Sequence, residues 1–279
     1  MPIVRAKCTV CGANLEVDNS KDAAICPFCN TPYIVEKAIR NYYVANNINA
    51  NTVNIYGSDA RDFEIRAGVL EKYNGAATDI VIPDTVRVIG AKAFANCTEI
   101  TSVIIPEAVT RIMDYAFLNC GKIRSIHIPN GVTEIGKEAF KGCYSLTSIN
   151  IPRGIIKLRA EVFAGCASLT NINIPDGVRE IEDKAFWYCQ SLTNVTIPDG
   201  VWEIGEFAFC RCENLASITI PDSVRYVRKG AFCCCFNLSN IELTSHTVCE
   251  FEAFLGTAYE KEKMEKEKEK KKKRWFSRR

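Results

Sequence analysis

The sequence has few of the side chains that enzymes use most often for proton transfer. Only two histidines, His127 and His246, occur among the 279 residues. Neither lies in a pattern that predicts a nucleophile, a base and an orienting group. No glycine-rich phosphate-binding loop is recognisable, because the 16 glycines fall mainly at predicted turns. These absences predict a protein that is not an enzyme.

Long apolar runs are also missing, since no segment approaches the ~20 consecutive apolar residues of a membrane-spanning helix. The first residues, MPIVRAKCTVCG, lack the apolar region and small-residue cleavage site of a signal peptide. We therefore expect a cytoplasmic protein in a reducing compartment. In that setting the 15 cysteines are interpreted as metal ligands or core thiols before disulfides.

The net charge is only +2, but the charge is unevenly distributed. Residues 260–279 contain 11 Lys and Arg against 5 Glu, a balance of +6, which leaves a balance of −4 for the other residues. The Glu and Lys composition of this segment favours a helix. Its end, KKKKRWFSRR, is typical of a solvated tail, and weak contact with an anionic membrane surface is the alternative.

A repeat of 23 residues dominates the rest of the chain. Phenylalanine and cysteine recur three residues apart, and a proline closes an apolar alternation in every repeat. The cysteines are Cys97, Cys120, Cys143, Cys166, Cys189, Cys212 and Cys235. In LTSINIP (146–152) the alternation of Ile149 and Ile151 with polar residues predicts a strand with one buried face, which Pro152 ends. One such unit buries too little apolar surface to fold alone, so the pattern predicts stacked coils.

The pattern L-x-x-I-x-I-P-x-x-V-x-x-I-G-x-x-A-F-x-x-C resembles the bacterial BspA-like leucine-rich repeat. The resemblance covers about 63–259, with 63–83 similar to an opening half-coil and 251–260 similar to a closing cap. It implies an α/β repeat solenoid of mostly short parallel strands. We divide the chain into an N-terminal module (1–35), a linker (36–62) with one short strand at Val53–Tyr56, the solenoid (63–259) and the charged tail (260–279).

The N-terminal module contains two C-x-x-C pairs, Cys8 with Cys11 and Cys26 with Cys29. Two such pairs separated by 14 residues have the spacing of a four-cysteine zinc ribbon. The prediction is one structural zinc ion in a closed site, which supplies most of the folding energy of so small a module. A redox pair or disulfides are the alternatives.

The repeat cysteines are interpreted as structural. Stacked coils bring equivalent Cα atoms within disulfide range, but equivalent side chains point in parallel directions, whereas a disulfide needs them to converge. A small inward side chain that satisfies loop backbone fits this position better. Cys210 and Cys233 lie outside that register at equivalent positions of adjacent coils. They are therefore expected to lie close together, as buried thiols by default or as a second metal or redox site.

The outward side chains of the predicted strands form two columns that are small, polar and nearly uncharged. They are the predicted surface for a protein or peptide partner, although Ser, Asn and Thr ladders also stabilise stacked strands without any ligand. The predicted binding residues are Ser125, His127, Ser148, Asn150, Asn171, Asn173, Asn194, Thr196, Ser217 and Thr219.

The sequence thus predicts a monomeric, non-enzymatic cytoplasmic interaction or scaffold protein that binds a protein or peptide through the solenoid. The alternative is a nucleic-acid-associated or regulatory factor led by the zinc ribbon. Residues 1–40 carry five basic residues against four acidic ones, which is not the basic footprint that such a factor needs. A membrane-surface adaptor that uses the basic tail is a third, weaker possibility.

Overall fold

The computed structural model describes four short strands before residue 35, then residues 60–244 and 246–265. The chain forms two compact units, Met1–Ile55 and Tyr56–Arg279. Each unit is described by itself. The strand predicted at Val53–Tyr56 and most of the predicted tail lie outside the described residues.

The first unit contains two antiparallel hairpins. Their strands are β1 (Ile3–Lys7), β2 (Asn14–Asp18), β3 (Ala23–Ile25) and β4 (Pro32–Ile34). Lys7 pairs with Asn14 at the end of the first hairpin, and Ile25 pairs with Pro32 at the end of the second. In sequence, each C-x-x-C pair therefore falls between the two strands of one hairpin. The four cysteines themselves lie outside the described residues.

The second unit begins with a 3₁₀ turn (Ala60–Asp62) and a hairpin, β5 (Phe63–Arg66) and β6 (Val69–Tyr73). Ala67 and Gly68 connect the two strands with φ values of 47° and 75°, as a two-residue type I′ turn requires. β6 then pairs in parallel with Val88–Ile89, the strand that follows the first repeat proline. The hairpin thus covers one end of the stack with an antiparallel pair.

Eight strands from successive coils form the first ladder. They are β7 (Asp79–Val81), β9 (Ser102–Ile104), β11 (Ser125–His127), β13 (Ser148–Ile149), β15 (Asn171–Asn173), β17 (Asn194–Thr196), β19 (Ser217–Thr219) and β21 (Asn240–Glu242). All pairings within this ladder are parallel and in register, with equivalent residues side by side, as in Asn171 beside Asn194. The predicted parallel-strand solenoid with 23-residue coils is confirmed.

A second parallel ladder runs through the Val/Ile pairs that follow the prolines. Its strands are β8 (Val88–Ile89), β10 (Arg111–Ile112), β12 (Glu134–Ile135), β14 (Lys157–Leu158), β16 (Glu180–Ile181), β18 (Glu203–Ile204), β20 (Tyr226–Val227) and β22 (Val248–Cys249). The second residue of most of these strands is buried and the first faces outward.

Turns, not helices, form the third side of each coil. Within 60–244 and 246–265, helix is limited to Ala60–Asp62 and a segment over 258–265, so the α/β description overstated the helix content. Each coil has two positions with positive φ, two residues before the phenylalanine and one before the cysteine. These positions hold Lys92, Asn96, Tyr115, Asn119, Glu138, Gly142, Glu161, Gly165, Lys184, Tyr188, Phe207, Arg211, Gly230 and Cys234. The left-handed residues reverse the chain within a few residues, which leaves no room for a helix.

The interior is a stack of phenylalanine rings, one per coil. The ring centroids of neighbours are 5.0–5.8 Å apart and their planes are within 19° of parallel. The rings belong to Phe94, Phe117, Phe140, Phe163, Phe186, Phe209, Phe232 and the cap residue Phe254. Full burial of one large side chain contributes about 1.5–3 kcal/mol, so this stack is a principal source of cohesion between coils.

Both ladders are interrupted at one shared junction, and the first ladder is also interrupted between β17 and β19. β13 does not pair with β15, and β12 does not pair with β14, whereas the turns on the third side remain bonded, as in Phe140 N to Val162 O at 3.0 Å. The following coil has the larger buried side chains Ile155 and Val162 where its neighbours have valine and alanine. Phe140 and Phe163 are also the most widely spaced pair in the stack, at 5.8 Å. Added side-chain volume at this junction accounts for the wider spacing.

The C-terminal helix over 258–265 covers the other end of the stack. Thr257 is fully buried and caps the helix by accepting a hydrogen bond from Glu260 N at 3.1 Å, while Glu260 Oε2 accepts one from Gly256 N at 2.8 Å. This arrangement resembles a capping box, with the Glu260 carboxylate bonded to the N–H of the residue before the N-cap. Among the described residues, no helix is long and apolar enough to span a membrane.

Candidate functional site

The first ladder presents its outward side chains as two columns, from the first and third positions of each strand. Eight of the ten predicted binding residues are exposed, and His127 and Asn150 are half-buried. Equivalent residues stand side by side, with Asn171 beside Asn194 and Asn173 beside Thr196. The parallel register therefore brings these side chains together on one surface, the strand face. It comprises the exposed side chains of Ser125, Ser148, Asn171, Asn173, Asn194, Thr196, Ser217 and Thr219.

A column of threonines just before the strands is used to hold the coils together. Thr147 Oγ1 donates to the carbonyl of Arg124 at 3.0 Å, and Thr193 Oγ1 donates to that of Thr170 at 3.2 Å. Thr101 and Thr170 bond in the same way to the coil before them. These hydroxyls satisfy backbone carbonyls, so the column stabilises stacking and is not part of the strand face.

Asn150 is also used internally. Its Oδ1 accepts a hydrogen bond from Ile128 N at 2.9 Å, and its Nδ2 donates to Ile128 O at 2.7 Å. In other coils the backbone fills this role, as where Ile82 N donates to Ile104 O at 3.1 Å. The Asn150 amide replaces a backbone rung beside the interrupted junction. Both of its polar atoms are therefore engaged, which distinguishes Asn150 from the other predicted binding residues.

The coils after the junction keep hydrogen-bonding groups that face solvent. The side chains of Asn173, Thr196 and Ser217 are exposed and have no hydrogen-bond partner within the described residues. Asn171 and Asn194 each donate only one bond, to the hydroxyl of the preceding threonine at 3.3 Å, and their carbonyl oxygens stay available. Because β15, β17 and β19 belong to three successive coils, these groups form a compact neutral surface that can both donate and accept hydrogen bonds.

The two ends of the strand face differ from its middle. At the N-terminal end Ile104 is 44% exposed, and Ser102 Oγ donates to Asp79 Oδ1 at 2.7 Å. This hydrogen bond holds the pKa of the Asp79 carboxyl below its ordinary value. At the C-terminal end Thr219 Oγ1 donates to Glu242 Oε2 at 3.1 Å. The uncharged part of the face is therefore bounded by a carboxylate on each side.

The second ladder presents charged side chains that pair with one another. Lys157 Nζ lies 2.6 Å from Glu180 Oε2, and Arg159 lies 3.2 Å from Glu182. Arg228 bridges two carboxylates from the coils on either side, Glu203 at 2.6 Å and Glu250 at 2.7 Å. The hydrogen bond from Arg228 lowers the pKa of Glu250 below its ordinary value. This surface is largely satisfied by its own ion pairs.

The repeat cysteines have a structural role, as predicted. Six of their thiols donate to the carbonyl of the phenylalanine 26 residues earlier, at Sγ to O distances of 3.0–3.4 Å. The donors are Cys120, Cys143, Cys166, Cys189, Cys212 and Cys235. Burial raises the pKa of the Cys189 thiol to about 12. The Cys189 thiol therefore remains a protonated donor at neutral pH and is a poor nucleophile.

Among the residues that the structure describes, no group of three or more His, Cys, Asp and Glu side chains is placed to hold a metal ion. The predicted zinc ligands Cys8, Cys11, Cys26 and Cys29 lie outside those residues. The positive-φ turns and the Asn150 rung were missed by the sequence analysis. Only the glycines and asparagines at some of these turn positions hinted at left-handed backbone.

Comparison with known proteins agrees with this geometry. The sequence profile of the BspA type leucine-rich-repeat region matches residues 65–193 and 156–279, with six copies of the repeat. No curated protein matches the chain.

Several solved structures share the fold. A leucine-rich-repeat protein from Eubacterium ventriosum has a TM-score of 0.55 at 24% identity, over 72% of this chain and 51% of that one. The T. pallidum leucine-rich-repeat protein has a TM-score of 0.51 at 27% identity, over 69% of this chain and 83% of that one. One from Bacteroides ovatus has a TM-score of 0.54 at 23% identity, over 88% of this chain and 65% of that one.

The chain thus matches about half the length of the Eubacterium ventriosum protein. The family profile, by contrast, accounts for most of the chain, from residue 65 to its end. With its 23-residue coils, stacked phenylalanines and parallel ladders, the chain belongs to the BspA-type leucine-rich-repeat family.

Proposed function

We propose that this chain is a non-enzymatic interaction protein whose strand face binds an extended, mostly uncharged segment of a protein partner. One observation carries the proposal. The side chains of Asn173, Thr196 and Ser217 are exposed and have no hydrogen-bond partner among the described residues, whereas the adjacent threonine column is satisfied. Repeat proteins of this kind commonly bind proteins through the extended surface that stacking creates.

The chemistry of the face selects the kind of partner. Amides and hydroxyls can donate to and accept from a peptide backbone, so an extended segment can align with strands such as β15 and β17. The middle of the face has no charged group to pair with a strongly acidic or basic segment. An acidic segment would also be repelled by the carboxylates of Asp79 and Glu242 at the two ends. A neutral polar segment therefore fits best.

Arginine substitutions on the two ladders test the proposal. Asn173→Arg with Thr196→Arg places two long cations in the middle of the strand face, in a column that already holds His127 and Glu242. The control is Thr110→Arg with Thr133→Arg, in a second-ladder column that already holds Arg87 and Arg179. Both variants are expected to fold.

The measurement is capture of a partner by the full chain from a lysate of its source cells, followed by affinity determination with the purified partner. We expect the strand-face variant to lose at least about tenfold in affinity, equivalent to about 1.4 kcal/mol. The control should bind as the unaltered chain does. Equal binding by the two variants would refute the strand face as the binding surface.

We also propose that Cys8, Cys11, Cys26 and Cys29 hold one structural zinc ion. The two antiparallel hairpins support this, because each pair follows one strand and precedes its partner in sequence. Bound zinc would supply folding energy to the module and no catalytic function. Elemental analysis should find one zinc per chain, which Cys8→Ser with Cys11→Ser removes. Retention of zinc by that variant would contradict the assignment.

We also propose a cytoplasmic location, because the repeat cysteines need to stay reduced. We use the term cysteine ladder for the six buried repeat cysteines whose thiols donate to phenylalanine carbonyls: Cys120, Cys143, Cys166, Cys189, Cys212 and Cys235. These thiols can act as hydrogen-bond donors only when they are reduced. A reducing compartment preserves that state. Fractionation of source cells, with the chain found in a secreted or surface fraction, would contradict this proposal.

A further inference from the structure

Cys210 and Cys233 differ from the cysteine ladder beside them. They occupy equivalent positions of adjacent coils, directly after Phe209 and Phe232. The Cys233 thiol donates a hydrogen bond to Cys210 Sγ at 2.8 Å. In the cysteine ladder, by contrast, each thiol is directed at a backbone carbonyl. The Cys212 thiol, for example, donates to Phe186 O at 3.3 Å. The two sulfurs of the pair are therefore directed at each other.

We propose that Cys210 and Cys233 form a redox modification site, a dithiol that a peroxide converts into a disulfide between two adjacent coils. The sulfur–sulfur distance of 2.8 Å has to shorten to the ~2.05 Å of a covalent bond. The backbones of the two coils match at this position. The φ values lie between 54° and 62° both before the two cysteines, at Phe207 and Gly230, and after them, at Arg211 and Cys234. Little backbone movement is needed.

The Cys210 and Cys233 side chains are also more accessible to solvent than those of the cysteine ladder. Cys210 and Cys233 are 6% and 8% exposed, whereas Cys189, Cys212 and Cys235 are 0% exposed. A small oxidant such as hydrogen peroxide can therefore reach the pair before it reaches the ladder. The exposed Cys249 and the half-buried Cys97 and Cys234 are accessible as well, and experiments must distinguish them from the pair.

The hydrogen bond determines which sulfur reacts first. Burial raises the pKa of both thiols, but the bond from Cys233 and the positive charge of Arg211 act to lower the pKa of Cys210. The same bond raises the pKa of Cys233, the donor. The thiolate therefore forms on Cys210. Because burial opposes ionisation, oxidation should be slow compared with that of an exposed low-pKa thiol.

The reaction balances with one peroxide. The Cys210 thiolate attacks a peroxide oxygen, the O–O bond breaks, and Cys210 becomes a sulfenic acid while the released hydroxide takes up a proton to form water. Cys233 sulfur then attacks the Cys210 sulfur. The S–S bond forms, and the oxygen leaves as a second water with the proton of Cys233. Two thiols lose two electrons, and the peroxide gains them.

The test uses the full chain and hydrogen peroxide. After oxidation, free thiols are alkylated under denaturing conditions and the chain is cut with trypsin without reduction. Cleavage after Arg211 separates Cys210, in 185–211, from Cys212, and Cys233 lies in 230–261. We expect a reducible cross-link between these two peptides and an intact mass lower by about 2 Da, the two hydrogens lost.

Variants assign the cross-link to the pair. Cys210→Ala and Cys233→Ala are conservative, since Ala95 and Ala164 occupy the same position in other coils. Each should abolish the cross-link, whereas Cys234→Ala and Cys249→Ala should retain it. The thermal midpoint should rise on oxidation of the unaltered chain and stay unchanged for Cys210→Ala.

Three results would overturn the proposal. The first is oxidation of Cys210 to sulfinic acid without a cross-link. The second is a cross-link between 185–211 and 230–261 that persists in Cys210→Ala, which would implicate Cys189. The third is a cross-link that disappears in Cys234→Ala but not in Cys233→Ala.

Discussion

The two parallel ladders come from the same 23-residue repeat, yet they present different chemistry to solvent. The second ladder carries charged residues that neutralise each other across coils, as Arg228 does with Glu203 and Glu250. The first ladder carries amides and hydroxyls, and several of these, such as those of Asn173 and Thr196, have no partner in the part of the chain that the structure describes. Where a repeat satisfies its own side chains it stabilises the stack, and where it leaves them unsatisfied it can bind something else.

The largest expected effect comes from the interior that both ladders share. Phe140→Ala removes one ring from the stack beside the interrupted junction, where Phe140 is 1% exposed. We expect a loss of about 3–5 kcal/mol in the free energy of unfolding, the usual cost of deleting a buried phenylalanine. Urea unfolding measures it.

A matched control is Phe254→Ala at the end of the stack, where the ring is only partly buried and should cost less. Equal losses at the two sites would show that the rings do not act as a continuous stack.

Asn150 and Asn173 sharpen the comparison within one column of the first ladder. Asn150→Ala leaves the N–H and C=O of buried Ile128 without the partners they have now. An unsatisfied buried group costs about 1–3 kcal/mol, and urea unfolding should show a loss of that size. Asn173→Ala removes an amide with no partner, so its effect on stability should stay within about 0.5 kcal/mol. Equal losses would show that the Asn150 amide does not support the Ile128 backbone.

Arg228 gives a pH-dependent test of the second ladder. The folded-state pKa of Glu250 is lowered, so its contribution is present above the unfolded pKa and is lost as pH falls through the folded value. Arg228→Met should therefore destabilise the chain at about pH 6 and have a smaller effect at a pH below the lowered pKa of Glu250, where that carboxylate is protonated in the folded chain. Urea unfolding at the two pH values measures the difference. A loss that does not change with pH would assign the role of Arg228 to packing.

The smallest expected effect separates the threonine column from the strand face next to it. Thr147→Val removes the bond to the Arg124 carbonyl and should cost up to about 1 kcal/mol of stability while leaving partner affinity intact. Ser148→Ala should leave stability within about 0.5 kcal/mol and weaken partner affinity. Thermal unfolding and titration with the purified partner measure the two effects. The opposite pattern would exchange the roles of the two columns.

The sequence predicted most of the fold because the repeat is strict. Prolines that close alternating segments located the first-ladder strands, and the constant spacing of phenylalanine and cysteine predicted inward cysteines with structural roles. The Val/Ile pairs were noticed, but their pairing as a second ladder was not, because two-residue strands carry no periodicity of their own.

Other features depend on three-dimensional context that the pattern does not encode. Left-handed backbone recurs at positions occupied by residues as different as Lys92, Glu161 and Phe207, so no residue type marks it. The wide spacing of Phe140 and Phe163 follows from the combined volume of Ile155 and Val162, and each of these residues is ordinary in a repeat. Within the strand face, Asn150 and Asn173 have the same residue type and repeat position. Only the hydrogen bonds show that the first is engaged and the second is available.

Photo-crosslinking of the bound partner tests the central claim most directly. A photoreactive amino acid at position 173 lies on the strand face, and one at position 111 lies at an exposed site of the second ladder. The account predicts that the partner captured by the full chain is cross-linked from position 173 and not from position 111. Cross-linking from position 111 alone would contradict it, because the ion-paired ladder would then be the binding surface.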